Sequence, residues 1–391
     1  MTREVLIVGA ARTPIGRFRG TLRDLRADHL GAAVLNELVR RTGIEARHVD
    51  DVVFGCVTQV GEQCGNIART ALLSAGWPEH VPGMTVDRKC GSSEAALHVA
   101  YGQVAAGVSE AVVAGGAESM SRVPMGGNRD VHGQPFGWKL TERFELVSQG
   151  EAAERVADRW GLTRADLDEF ALTSHRRAAT ADALGYFERE IVPVALDEWS
   201  ETRPGESGIV FRRDETIRRE TSAEKLATLK TSFRPEGRIT AGNSSQICDG
   251  AAAVLLMSGE AASRFELRPR ARIRAIASVG SDPTLMLTGP VAATQLVLQR
   301  AGLAASDIDL FEVNEAFAPV PLMWMRETGI GLERLNVNGG AIALGHPLGA
   351  TGARIMTALV HELERRDATF GLQAICCAGG MATATVVERL A

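Results

Sequence analysis

The sequence predicts an α/β fold built from two related halves, and two observations carry that expectation. Apolar, β-branched runs alternate with helical stretches along the whole chain, and two of the strand-containing units recur. The runs are "VLIVGAA" (5–11), "VDDVVFGCV" (49–57), "EAVVAGGA" (110–117), "AAAVLLMS" (251–258), "RARIRAIASV" (270–279), "IDLFEVNEA" (308–316), "FGLQAICCAGG" (370–380) and "TATVVERL" (383–390). Runs this short and this apolar read as buried strands.

The first recurrence pairs "TGIEARHVDDVVFGC" (42–56) with "AGLAASDIDLFEVNE" (301–315), which aligns Asp50 with Asp309 and Phe54 with Val313. The second pairs "EAVVAGGAESM" (110–120) with "QAICCAGGMAT" (373–383), each read as a strand followed by Gly-Gly. Between the halves, residues 118–248 change in texture. Gly and Pro punctuate "SRVPMGGNRDVHGQPFG" (121–137), and "WSETRPGESGIVFRRDETIRRE" (199–220) reads as a solvated charged run. Two helices are expected inside this segment: one opened by a capping box at Ser148 and Glu151 and ending near Gly161, the other running from Thr163 and Asp166 to about Ala183. The segment reads as an inserted lid or loop domain.

At 391 residues the chain holds two or three domains' worth of core at ~150 residues each. Its 43 basic and 48 acidic residues leave a net charge of −5 without a basic stripe, which disfavours nucleic acid and anionic membrane as partners. No apolar run reaches the ~20 residues of a membrane helix. Six cysteines without C-x-x-C spacing point to reduced thiols in a cytoplasmic protein, and the histidines show no metal-ligand spacing.

Cys90 is the first candidate site residue. It follows Arg88 and Lys89 and precedes Gly91, Ser92, Ser93 and a run, Ala95 to Ala106, that is apolar nearly all round and therefore belongs in the centre of the molecule. A thiol beside two cations at the positive end of a helix is expected to ionise. His346 stands in a rigid, glycine-rich turn, "VNGGAIALGHPLGATGAR". Asn314 and Glu315 close an apolar strand, where an α/β sheet places ligands; the alternative is a pair that caps the next helix. Cys376 and Cys377 end another strand before Ala378, Gly379 and Gly380, and the Gly pair would let an acyl oxygen approach backbone N–H groups; packing is the alternative role of the adjacent cysteines.

Taken together, these stretches resemble the thiolase family of condensing and cleaving acyltransferases. "ARTPIGRFRG", "DRKCGSS", "GGAESMSRVPM", "AGNSSQICDGAAAVLLMS", "NEAFAP", "GGAIALGHPLGATGAR" and "CCAGGM" occur in the family's order from residue 11 to the C-terminus. The resemblance implies a duplicated five-layer α-β-α-β-α core with an inserted loop domain. Its N-terminal half would span 1–117, completed by 249–268; the loop domain, 118–248, would bind coenzyme A; the C-terminal half would span 269–391.

It also implies roles for individual residues. Cys90 would take the acyl group as a thioester, and His346 would remove its proton. Cys376 would act as acid and base at the α-carbon, and Asn314 would hold a water that stabilises the enolate oxygen. The backbone N–H groups of Cys90 and Ala378 would form an oxyanion hole for the acyl-enzyme. Arg218 and Ser245 would touch coenzyme A, the co-substrate, with no tightly bound cofactor and no metal. The partners implied are acyl-CoA thioesters and a second copy of the chain, in a homodimer or homotetramer joined through residues 57–69.

Departures from the family pattern are Ala378 for a common Gly, Gln246 and Cys248 for a usual Gly and Asn, and Ser148-Gln149 for a His-Met pair of acetoacetyl-CoA enzymes. The last favours longer or bulkier 3-ketoacyl-CoA substrates and β-oxidation, with acetoacetyl-CoA thiolase activity as the near alternative. An inactive acyl-CoA or lipid carrier is the distant alternative. A β-ketoacyl synthase is disfavoured by Cys376, and a dinucleotide enzyme by the lack of G-x-G-x-x-G.

Overall fold

A computed structural model of the chain describes residues 3–129, 131–202 and 208–390. Its strands are β1 (Val5–Arg12), β2 (Gly16–Arg17), β3 (Asp51–Gly55), β4 (Gly83–Val86), β5 (Ala111–Ser119), β6 (Val194–Ala195), β7 (Val210–Phe211), β8 (Cys248–Ser258), β9 (Ala271–Gly280), β10 (Leu310–Val313), β11 (Phe370–Cys377) and β12 (Met381–Arg389). All eight apolar runs form strands. The edge strand β4 escapes the sequence pattern because it is four residues long and only half-buried, so its side chains carry no long apolar signal.

The main sheet runs β10-β11-β12-β9-β1-β8-β5-β3-β4, with β2 beside β8. Each half repeats one pairing scheme. In the N-terminal half β3 is parallel to β5 and β4, and β8 lies antiparallel between β5 and β1. In the C-terminal half β10 is parallel to β11, and β12 lies antiparallel between β11 and β9. Leu335 bridges Phe311 in parallel, where β4 stands in the other half. The halves join through two antiparallel residue pairs, Leu6 with Arg272 and Ile7 with Ala271.

The duplication extends to side chains. The Asp50 carboxylate accepts from the backbone N–H groups of Glu110 and Ala111 at the start of β5, and Asp309 does the same for Thr369 and Phe370 at the start of β11. This supports the alignment of Asp50 with Asp309. It also corrects the second one: pairing places Val112 opposite Asp51 and Gly371 opposite Leu310, so β5 and β11 match five residues away from their Gly-Gly alignment. Gly115 and Gly116 lie inside β5, not after it. A Cβ at Gly116 would run into the Gly349 carbonyl, so packing sets that glycine and not a turn.

Alternate residues of β5 and β8 face opposite layers. Ala111, Val113, Leu255 and Met257 pack with the outer helix Ala27–Thr42, while Val112, Ala114, Val254 and Leu256 pack with the two central helices, Ser92–Ala105 and Thr351–Arg366. On the far side the Gly289–Ala301 helix covers β9, β11 and β12. The order outer helix, sheet, central helices, sheet, outer helix gives five layers, as the resemblance implies.

The segment between β5 and β8 contains the two expected helices, Gln149–Arg159 and Arg164–Ala183. Thr163 and Asp166 make a reciprocal capping box. Ser148 caps its helix through Glu151 N, but the Glu151 side chain goes to Arg155 and Arg234, so only half of that box forms. Within the expected solvated run, Asp214 is buried against Arg12 at 2.8 Å, because a buried guanidinium at the end of β1 needs counter-charges; Glu190 supplies the other at 2.6 Å. Residues 203–207 of that run, and residue 130 of the Gly- and Pro-punctuated stretch, lie outside the described residues.

Candidate active site

Cys90 occupies the turn between β4 and the Ser92–Ala105 helix. The turn is closed by Gly91 N to Arg88 O, Ser92 N to Lys89 O, and the Ser92 hydroxyl, which accepts from Arg88 N and donates to Lys89 O. Lys89 takes a left-handed φ of 51°, and a Cβ on Gly91 would lie 2.6 Å from the Cys377 sulfur, so only glycine fits there. The backbone N–H groups of Ala378 and of Cys90 itself favour negative charge on the Cys90 sulfur.

The expected thiolate is overturned. Burial outweighs both N–H groups and Lys89, and pushes the Cys90 thiol up to about 11. The flanking cations are engaged elsewhere: Lys89 pairs with Asp87 at 2.6 Å and Arg88 donates to the Ser278 hydroxyl at 2.6 Å. At neutral pH Cys90 is therefore a thiol that needs a base.

His346 is buried at the foot of the glycine-rich turn. Its Nδ1 lies 2.6 Å from the Thr351 hydroxyl, and its Nε2 lies 3.5 Å from Asn314 Nδ2. Burial, and after it the Arg354 charge, pushes the imidazole down to about 3, so the ring is neutral. Asn314 follows β10, with its N–H on the Ala374 carbonyl at 3.0 Å, and its buried Oδ1 has no partner among the described residues. Cys376 is buried at the end of β11, with burial and then charge on Cys90 and Cys377 raising its thiol well above the usual range. Both cysteines are thus protonated at rest.

Two buried carboxylates hold these loops together. Glu118, in β5, accepts from Val57 N at 2.9 Å, Thr58 N at 3.0 Å and Gly349 N at 2.8 Å. Glu315 does not cap the next helix; it accepts from Ile342 N, Asn336 Nδ2 and the Ser174 hydroxyl. A glutamate inside the apolar run "AVVAGGAES" was the available signal for the first.

Comparison with known proteins bears on the same arrangement. The thiolase N-terminal domain model matches residues 5–260 and the thiolase C-terminal domain model matches residues 267–389. The chain belongs to the thiolase family. It is 44% identical to the steroid 3-ketoacyl-CoA thiolase FadA6 of Mycobacterium tuberculosis, over 99% of this chain and 94% of that protein. It is also 44% identical to the 3-ketoacyl-CoA thiolase of Bacillus subtilis, over 99% of each. The crystal structure of the Bacillus anthracis acetyl-CoA acetyltransferase superposes with a TM-score of 0.91 at 40% identity, over 100% of this chain and 99% of that one. This thiolase is accordingly an acyltransferase.

Beside the thiolase core, an open pocket of about 360 Å³ is lined by His175, Arg218, Arg219, Lys225 and Gln246 of the middle segment and by Ile342, among others. Arg218 is on its wall and its N–H donates to His175 Nδ1 at 3.2 Å. Ser245 is not on the wall; its N–H donates to the Ala316 carbonyl at 3.0 Å, next to Gln246. The departures from the family pattern have structural roles. Gln246 Nε2 donates to the carbonyls of Thr216 and Ile342, both at 2.8 Å, and the Gln246 carbonyl accepts from His346 N at 3.1 Å. Cys248 packs its sulfur against Gly345. Ala378 is outside the left-handed region, so its methyl causes no backbone strain. Among the described residues no cluster of His, Cys, Asp and Glu could hold a metal, and no helix is long and apolar enough to cross a membrane.

Proposed function

We propose that this thiolase cleaves 3-ketoacyl-CoA with coenzyme A, giving acetyl-CoA and a shortened acyl-CoA, through an acyl thioester on Cys90. The observation that carries the reading is a buried cysteine at the turn into a central helix, with the backbone N–H groups of Ala378 and Cys90 favouring negative charge on its sulfur. The same two donors suit the oxyanion of the tetrahedral intermediate, each worth roughly 2.7–4 kcal/mol. His346 takes the Cys90 proton, and the sulfur attacks the 3-keto carbon. The C2–C3 bond then breaks, its electron pair goes to the acetyl-CoA enolate, and the Cys376 thiol protonates C2. Asn314 with a bound water, and His346, stabilise the enolate oxygen. Coenzyme A next attacks the thioester. Its thiol proton goes to the Cys376 thiolate, and His346 returns a proton to the departing Cys90 sulfur. Protonated thiols at rest suit this cleavage direction.

Residues 118–248 form the coenzyme A-binding loop domain, with Arg218 at the 360 Å³ pocket and Ser245 beside it; the two core halves are 1–117 with 249–268, and 269–391. Ser148, committed to capping its own helix, together with Gln149 fits longer or bulkier acyl chains. Six free cysteines support a reducing, cytoplasmic setting. The 57–69 segment, tied to the β4 edge by Asn66 Nδ2 on Gly83 O at 2.7 Å, joins two copies into a dimer; a monomer by light scattering would refute that.

The test is coenzyme A-dependent cleavage, followed by mass spectrometry, of 3-ketoacyl-CoAs from acetoacetyl-CoA to long-chain and steroid-like members, with Cys90→Ser as control. Cleavage lost in the control supports the reading and ranks substrates by kcat/KM. Turnover of acetoacetyl-CoA alone would favour the acetyltransferase alternative, and no turnover by folded protein would favour the carrier.

A further inference from the structure

We infer that Thr351 is a positioning residue that fixes His346 as the Nδ1–H tautomer, leaving the Nε2 lone pair to receive the Cys90 proton. The inference rests on the reading of His346 as that base.

The Thr351 hydroxyl lies 2.8 Å from the Pro347 carbonyl and 2.6 Å from His346 Nδ1. A carbonyl only accepts, so the single hydroxyl proton is spent on Pro347 O. The short contact to Nδ1 is then a hydrogen bond only if Nδ1 carries a proton and donates it. On the other side of the ring, Asn314 Nδ2 stands 3.5 Å from Nε2. An amide nitrogen only donates, so this contact asks for a lone pair on Nε2. Two independent neighbours, one acceptor-facing and one donor-facing, thus select the same tautomer. The ring is neutral at working pH, so one proton satisfies both.

The arrangement differs from a histidine held by a carboxylate. Among the described residues, no Asp or Glu hydrogen-bonds the ring, and the groups on it are a hydroxyl and an amide. When Nε2 takes the proton from Cys90, the S–H bond breaks with its electron pair left on sulfur, and the Nε2–H bond forms while Nδ1–H is retained. The resulting imidazolium has no anion on its Nδ1 side, so the proton is held loosely and is available to Cys90 when the thioester is released. The opposite tautomer would present Nε2–H to the thiol and accept nothing. Thr351 is itself held in place: it opens the Thr351–Arg366 helix and is buried, and the Pro347 carbonyl it grips belongs to the residue next to His346.

The test uses ¹⁵N-histidine-labelled full-length protein, with the His346 signals identified by their loss in His346→Gln. In wild type, Nδ1 is expected to show the shift of a protonated pyrrole-type nitrogen and Nε2 that of an unprotonated one. Thr351→Val, which keeps the shape and removes the hydroxyl, is expected to mix the tautomers and lower kcat roughly tenfold or more with KM little changed. Thr351→Ser is expected to restore both. A protonated Nε2 in wild type, or Thr351→Val with wild-type kcat and an unchanged spectrum, overturns the inference. Should Thr351→Val fail to fold, the wild-type spectrum decides alone. Because the spectrum needs no turnover, a wrong tautomer is distinguishable from a wrong assignment of the base, which would show as activity in His346→Gln.

Discussion

Burial sets the chemistry of single residues here more strongly than near neighbours in sequence do. Cys90 has two cations before it and a helix after it, yet its thiol is pushed up to about 11 because desolvation of the sulfur outweighs the lowering by two backbone N–H groups and Lys89. Burial likewise raises the Cys376 thiol well above its usual range, which suits the proposed role of proton donor to the enolate. Cys376→Ala is therefore expected to accumulate the Cys90 acyl-enzyme from acyl-CoA, visible by intact-protein mass spectrometry, while condensation stops; near-normal turnover would refute its acid-base role. A second residue-scale effect concerns stability. Burial pushes the Glu312 carboxyl up to about 8, against the lowering influence of Arg354, so the folded state binds a proton that the unfolded state has released. Its contribution is present below the ordinary carboxyl range and is lost as pH rises towards and through about 8. Wild type is expected to lose stability relative to Glu312→Gln across that window, by up to ~1.4 kcal/mol per pH unit, in urea titrations at several pH values. A pH-independent difference would contradict it.

At the scale of elements, the site is made by the ends of strands and the starts of the two central helices. Gly352, at the start of the Thr351–Arg366 helix, lies against Glu94 in the first turn of Ser92–Ala105, which brings the Cys90 and His346 turns together. Glu118 links the turns after β3 and before the second helix through three backbone N–H groups. Glu118→Ala leaves all three buried donors unpaired and is expected to cost roughly 3 kcal/mol or more by urea unfolding, with a lower kcat because the His346 turn loosens. Element boundaries were legible where periodicity or apolar runs were long. The Thr163 capping box and the eight buried strands are written locally, residue beside residue. The register of the second repeat was not, because Gly115 and Gly116 answer to a distant backbone at Gly349 and Ala252.

For the whole molecule, the two core halves join along one strand pair, β1 with β9, and through their packed central helices, and the intervening segment is fastened to them by buried charge. Arg12 bridges Glu190 and Asp214 from that segment, all three nearly inaccessible. Arg12→Ala would strand two buried carboxylates and is expected to cost roughly 3–5 kcal/mol, with faster hydrogen exchange over 188–202 and 208–216 than in the core. Unchanged exchange there would show that other contacts hold the segment. By itself the sequence determined the doubled α/β core, the strands and the identity of Cys90, Asn314, His346 and Cys376 as candidates, since apolar runs, glycine-rich turns and ordered motifs are local properties of the chain. Only the tertiary structure decided that Cys90 is a thiol, that Thr351 and Asn314 flank the His346 ring, and that Glu118 and Glu315 hold the turns. Apart from Thr351, five residues from His346, those outcomes depend on desolvation and on partners tens to hundreds of residues away, such as Glu118 and Gly349, which no local pattern encodes.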